Sequence, residues 1–331
     1  MKSFFLACTL LLAAGFSGKL LAQKPVKPSK QYDSSYYQSY PHKVTARVFL
    51  SQKYNHYNFP SAGSADDLEY KANPKLNLGL GISVHNFSLN VFYGFAFLNK
   101  NDKPKGETKG LNIQLHVYPH KWAVDLYGEF PKGLHLDPKG TATTAGQYYY
   151  RPDIKSTLVG VSAYRVPNKE RFSYRAAIVL TEWQKKSAGS WLYGGNLYYG
   201  STQGDSALVP KVLQNTYPQA GITKINLFSV GPGGGYAYTA VLDQHFFITG
   251  SLVVNMNVNL TKEQSGSTNS NVTFNPATVF KAALGYNSSN WCVGVNWTGN
   301  GIWFKGKSSN EAYFWPSGNY RLVIAKRFNA R

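Results

Sequence analysis

The residues able to do chemistry are few and widely spread. Seven histidines stand at positions 42, 56, 85, 116, 120, 135 and 245, and only His116 and His120 have a spacing worth weighing for a metal ion. On a strand those two would share a face but lie more than ~12 Å apart, too far to hold one ion. No metal centre and no cofactor is expected. Acyl transfer would need a serine on a strained elbow beside a histidine, and the chain holds no Gly-x-Ser-x-Gly; nothing singles out Ser190 or His135. The glycine-rich run over 230–236 is followed by no Lys-Ser/Thr pair, so it reads as a bend and not as a phosphate loop. A non-enzymatic protein is expected.

Charged residues set among apolar ones offer a different chemistry. Arg47, Arg165, Arg175, Lys281 and Arg321 fall opposite apolar stripes, and so do the acids Asp125 and Glu129. If those stripes face outward, five cations and two acids point inward. A basic excess around a passage favours negative solutes. The same charges could instead pair across a narrow, filled interior.

Which of these holds depends on the elements that carry the residues, and those elements are strands. Leu76, Leu78, Leu80, Ile82 and Val84 alternate with Asn77, Gly79, Gly81 and Ser83, a period of two. Phe87, Leu89, Val91, Tyr93, Phe95 and Phe97 repeat the device after a turn at His85 and Asn86. The longest run sets Phe246, Ile248, Leu252, Val254, Met256, Val258 and Leu260 against Thr249, Ser251, Asn255, Asn257 and Asn259. Such lengths exceed an ordinary soluble strand and suit a tilted strand crossing a bilayer. Short turns at 119–121, 167–170, 243–244 and 288–290 alternate with long loops at 99–108, 131–152 and 261–271, as in an outer-membrane barrel. An all-β antiparallel transmembrane barrel of about twelve strands over 43–328 follows, with fourteen as the other count. The stretches 203–223 and 225–242, the second broken by Gly231 to Gly235, fit that count poorly and suggest a bend, a plug-like excursion or an extra short strand.

The flanks agree with export. Met1 and Lys2 precede an apolar run from Phe4 to Phe16 that is too short to span a bilayer, and Ala22 offers a cleavage site. Residues 1–22 therefore read as a signal peptide and 23–42, rich in Lys, Pro, Ser and Tyr, as a flexible periplasmic lead-in. Only Cys292 then remains, so no intrachain disulfide is expected. Charged residues make up 15% and aromatic residues 15%, a mixture that departs from soluble enzymes and suits a tyrosine-rich barrel. The net charge is +19, lower by two once Lys2 and Lys19 leave. Scattered basic residues on an exported chain argue against nucleic acid and for outer-membrane lipid, lipopolysaccharide phosphates or an anionic small solute. Tyr320, Leu322, Ile324 and Phe328 make an aromatic-ended last strand of the kind presented to the barrel-insertion machinery, although Asn329, Ala330 and Arg331 follow it.

Four stretches carry a family resemblance: YPHKVTARVFLSQKY over 40–54, RFSYRAA over 171–177, QKKSAGS over 184–190 and SVGPGGGY over 229–236. They resemble an uncharacterised family of Bacteroidota outer-membrane proteins carried as a domain of unknown function. The resemblance implies a barrel in the outer membrane of a Gram-negative cell over nearly all of the mature chain, and no catalytic residue, substrate or cofactor. Three roles stay open on this reading: a passive pore for small anions, a plugged barrel serving as an envelope scaffold or binding module, and a lipid-modifying barrel enzyme.

Overall fold

Side chains that alternate between apolar and small or polar can be satisfied only if one strand face meets lipid or core and the other a polar interior. The backbone polar groups need a partner on both edges as well. A computed structural model describes residues 32–61, 66–84, 87–99, 103–119 and 121–329 and shows how the chain meets both demands. Fifteen strands occur among them: β1 (Tyr37–Ser39), β2 (Lys43–Phe59), β3 (Leu68–Lys71), β4 (Asn77–Val84), β5 (Phe87–Tyr93), β6 (Lys109–Val117), β7 (Trp122–Asp137), β8 (Tyr150–Arg165), β9 (Glu182–Gln184), β10 (Ala188–Gln203), β11 (Lys224–Leu242), β12 (Phe246–Ser265), β13 (Ser267–Asn287), β14 (Trp291–Phe304) and β15 (Tyr313–Asn329). Among the described residues no helix is long and apolar enough to cross a membrane.

All ladders are antiparallel. From β7 through β8 and β10 to β15 each strand pairs with the next, and β15 returns to β2 along 14 partner positions. The short β3 joins β2 to β7, through His56 to Phe59 on one side and His135 to Asp137 on the other. Hydrogen bonding thus closes a ring of ten strands, β2, β3, β7, β8 and β10 to β15. β4 and β5 hang from β2, and β6 from β7. The closed ring has ten strands, not the expected twelve, because the closing link is a four-residue strand with no periodic pattern of its own.

Outward positions are apolar. Leu80, Ile82, Val84, Leu111, Ile113 and every second residue from Phe246 to Leu260 apart from Gly250 appear among the exposed large hydrophobics. Asn255, Asn257, Asn259 and Thr261 between them are fully buried on the inner side. β12 is 20 residues long and turns directly at Gly266 into β13, so 261–271 is paired strand and not a long loop. β11 likewise runs straight through its glycines: Val230 faces Val258 and Gly233 faces Asn255, one continuous register with the ladder to β12 missing only at Gly231 and Pro232. Neither a bend nor an extra strand is needed there. Gly231 and Gly233 give their inner space to Asn257 and Asn255, whose side-chain oxygens lie 2.4 and 2.0 Å from where a Cβ would stand.

The interior is filled at both ends by connections that fold inward. Near the end holding both described termini, residues 166–187 between β8 and β10 enter the barrel as a π-helical turn, Arg175–Val179, followed by β9. Phe172, Tyr174, Ile178 and Leu180 pack there against inward wall residues including Phe49, Phe247, Val253 and Val323. This insert replaces the short turn expected at 167–170. β9 also pairs with β1, so the described part of the lead-in, 32–42, is docked on the plug and is not a free tether. The Tyr37 hydroxyl donates to the Lys169 carbonyl at 2.9 Å, and burial, with Glu182 nearby, pushes its pKa well up and keeps it a donor. At the opposite end, residues 204–223 fold in, and Leu208, Val209, Tyr217 and Ile222 pack with Tyr57, Phe59, Tyr70, Leu134, Phe304 and Trp315. The expected signal peptide over 1–22, the rest of the expected lead-in to 31, the expected turn at 85–86, part of the expected 99–108 loop and His120 lie outside the described residues.

Crowding of Asn255 predicts the outcome of filling Gly233. Gly233→Val should cost about 1–3 kcal/mol and lower the urea midpoint at which the compact, heat-modifiable gel band is lost. Gly250→Val, with nothing within 4 Å of its Cβ position, should leave that midpoint in place. Equal midpoints for the two variants would contradict this account of the glycine run.

Candidate functional site

Between the two apolar plugs lies a polar layer, and its centre is a buried carboxylate. Asp125 on β7 points inward and is 9% exposed. Lys281, from β13 across the interior, donates to one of its oxygens. The other is reached by the Tyr118 hydroxyl at 2.9 Å and by His116 Nδ1 at 2.6 Å. Lys281 also donates to the Tyr118 hydroxyl at 3.0 Å and sits over the rings of Tyr118 and Tyr174, 5.1 and 4.8 Å from their centroids. His116 and Asp125 come together because β6 and β7 pair them directly.

Glu129, two inward positions further along β7, is buried and accepts from Asn55 Nδ2 at 2.6 Å. Asn55 in turn accepts from Trp315 Nε1 at 3.1 Å, which ties this carboxylate to the apolar cluster of the far plug. Arg47 points inward, 6% exposed, and donates to Ser83 on β4. Arg321 points inward on β15 with its guanidinium 4.9 Å from the ring centroid of Phe49.

The two remaining predicted cations stand elsewhere. Tyr164 takes the inward position on β8 and is 3% exposed, so alternation turns Arg165 to the outer surface, where it is exposed. Arg175 is not on the wall at all but in the π-helical turn of the plug, where its Nε donates to Thr181 Oγ1 at 3.2 Å. Ser190 and His135 lie at opposite ends of the barrel, paired with Ala237 and Lys71 respectively. They form no hydrolytic pair.

Arg327, Lys53 and Glu263 are among the inward charges that escaped the sequence reading. Arg327 is 3% exposed and donates to the carbonyls of Leu180 and Glu182 and to Asn287 Oδ1 at 2.8 to 3.0 Å, which pins the plug to the wall. Its place between Lys326 and Phe328 on an alternating strand already implied an inward side chain. Lys53 follows from the same alternation with Arg47 and Ser51. Glu263, 2% exposed, accepts from Lys307 and Ser308 backbone N–H groups at 2.8 and 2.9 Å and from the Tyr313 hydroxyl at 2.6 Å. It was hidden by the expectation of a loop over 261–271.

The family model that describes a domain of unknown function, DUF4421, matches residues 31–328. The chain belongs to that family. No curated protein matches it. Among solved structures, the outer membrane protease OmpT from Escherichia coli is similar at 9% identity and a TM-score of 0.37, over 88% of this chain and 97% of that one. The OmpT outer membrane protein of Vibrio cholerae is similar at 10% identity and a TM-score of 0.30, over 88% and 99%. The translocator domain of the autotransporter NalP from Neisseria meningitidis is similar at 9% identity and a TM-score of 0.33, over 86% and 88%. No activity passes from any of these proteins to this DUF4421 chain.

The central ion pair yields a stability prediction. Lys281→Met leaves the Asp125 carboxylate buried without its cation and should cost about 3–5 kcal/mol, while the double variant Asp125→Asn with Lys281→Met should recover most of that loss. Urea unfolding followed by the compact gel band measures both. A double variant as unstable as the single one would show that the pair does not hold the layer together.

Proposed function

We propose that the protein is an outer-membrane barrel of a Gram-negative cell, exported by a cleaved leader over 1–22, that is closed at both ends and works as a binding module. The observation that carries this reading is the pair of apolar plugs, with Phe172 and Leu180 at one end and Leu208 and Val209 at the other each 2% exposed or less. A hydrated passage cannot run through two dry clusters of this kind without their removal. Membrane placement rests on the outer face, where a continuous row such as Ile248, Leu252, Val254 and Met256 is 44 to 67% exposed. Such an area needs lipid contact. At the level of the bilayer the wall then holds twelve strands, since β4, β5 and β6 stand beneath the short β3. The end with both described termini faces the periplasm, and Phe328 in the last strand is the feature offered to the insertion machinery.

The inward cations fit this reading better than an anion pore. Lys281 is taken up by Asp125, Arg47 by Ser83 and Arg327 by plug carbonyls. They hold strands and plugs together, and with Arg165 on the outer surface and Arg175 in the plug fewer of the expected cations face the lumen to draw anions.

Planar-bilayer conductance tests the proposal. The intact folded protein should stay silent, removal of 205–221 or of 168–186 alone should leave it silent, and removal of both should produce discrete current steps. Sustained current through the intact protein would refute the closed-barrel reading and restore the pore.

A further inference from the structure

The wall is not uniform, because β2 changes partner part-way along. Its edge pairs with β4 up to Ser51 and with β3 from His56 onward, and Asn55 still accepts the Ala72 N–H at 3.0 Å, so only Gln52 to Tyr54 have no backbone partner on that edge. β7 makes the same change, from β6 up to Lys132 to β3 from His135. β5 and β6 therefore stand side by side beneath β3, each held only on its outer flank, with no ladder between them among the described residues. A cavity of about 460 Å³ occupies this place, a size ordinary for a small-molecule site.

The lining of the cavity is two-sided. Inward-facing Lys53, Asn55, Asn90, Asn112 and Glu129 form its polar wall, and Val91, Phe92 and Leu111 its mouth between β5 and β6. Val91 and Leu111 are 66 and 60% exposed toward the outside, and Phe92 is still 41% exposed although its cross-strand partner Gly79 lies over Phe49 on the inner face. Beside Lys53, the outer face carries Tyr54, Tyr320 and Trp297, whose indole donates to the Tyr54 hydroxyl at 3.0 Å. Aromatic groups with one wet edge mark the interface between hydrocarbon and headgroups. The mouth thus opens at headgroup height on the side away from the termini.

Charge indicates what could enter. Lys53 takes part in no salt bridge among the described residues, and Lys75 and Lys109 at the rim share the single carboxylate of Glu107 at 3.7 and 3.4 Å. Three lysines face Glu107 and Glu129. A half-buried amine with donor-rich asparagines, Asn90 and Asn112, beside it suits an anionic head, and the apolar mouth suits a chain. We infer that the gap between β5 and β6 is a lateral entrance through which an anionic amphiphile of the outer leaflet places its head against Lys53 and leaves its hydrocarbon tail between Val91, Phe92 and Leu111. The inference deepens the binding-module reading and rests on it.

Calorimetric titration of the purified full-length protein with dodecyl phosphate, in excess of a neutral maltoside detergent, tests the inference. Saturable uptake of one dodecyl phosphate per barrel is expected, with no competition from inorganic phosphate at equal concentration. Lys53→Gln should weaken binding about tenfold or more, the loss of one charge-assisted contact, and Asn112→Trp should abolish it by filling the cavity. Both variants are compared only where the compact gel band is retained, and the wild-type competition stands without them. Absence of saturable binding by the wild type, or unchanged affinity in both folded variants, would overturn the inference. Equal competition by inorganic phosphate would overturn the lateral placement of the tail. Conductance separates the two claims: a silent barrel that binds nothing removes only the entrance, and a conducting barrel that binds removes only the closed reading.

Discussion

The rest of the structure depends on how β2 satisfies two edges at once. A barrel must leave no strand edge unpaired in lipid, since each unpaired backbone group there costs several kcal/mol. One edge of β2 closes the ring against β15 over most of its length. The other edge is divided between β4 near the termini and β3 farther out, and β7 divides its edge between β6 and β3 in the same way. The four residues of β3 therefore act as a keystone, and the strands beneath it have a freedom the others lack. A ring of even, equal strands would have no such place.

Filling the interior poses a second constraint. The small inward residues of β11 bring Asn255 and Asn257 close, and the plugs take up what space remains at either end. Buried polar atoms between the plugs need partners, and the network around Asp125 supplies them from β6, β7 and β13 together. Arg151 does the same for the far plug: its guanidinium holds Asp153 at 2.7 Å and the Ala207 carbonyl at 2.9 Å. The wall and its plugs are consequently one packed body, and charges that look free in the sequence are taken up as fasteners.

What could be read in advance divides along periodicity. The alternating runs at 76–84 and 246–260 announce their faces, because lipid accepts only apolar groups and the period of two leaves no choice. The same logic places Arg47, Asp125, Glu129, Lys281 and Arg321 inside. It fails at Arg165, where the pattern Ser162, Ala163, Tyr164 is too mild to declare a face, and an inward tyrosine is no less natural than an outward one. It has nothing to say about 166–187 or 204–223, whose burial comes from long-range packing without local period. The closed ring of ten departs from the expected twelve for a related reason, since Leu68 to Lys71 is too short to show a pattern yet decides the closure.

The relation between the keystone and the charges bears on function more than either alone. In a fully laddered wall an inward lysine would have to be paired or stacked, as Lys281 and Arg321 are, because nothing from outside could reach it. Lys53 can remain without a salt bridge because the edge of β2 beside it is not covered by a strand, so solvent or a lipid headgroup can approach. The same local fact, the uncovered edge over Gln52 to Tyr54, would thus both open the wall and permit a charge to stand there. A barrel sealed along its axis and open at its side, as proposed, would exchange material with the membrane plane and not across it. That geometry favours capture of membrane-borne molecules over transport of dissolved ones.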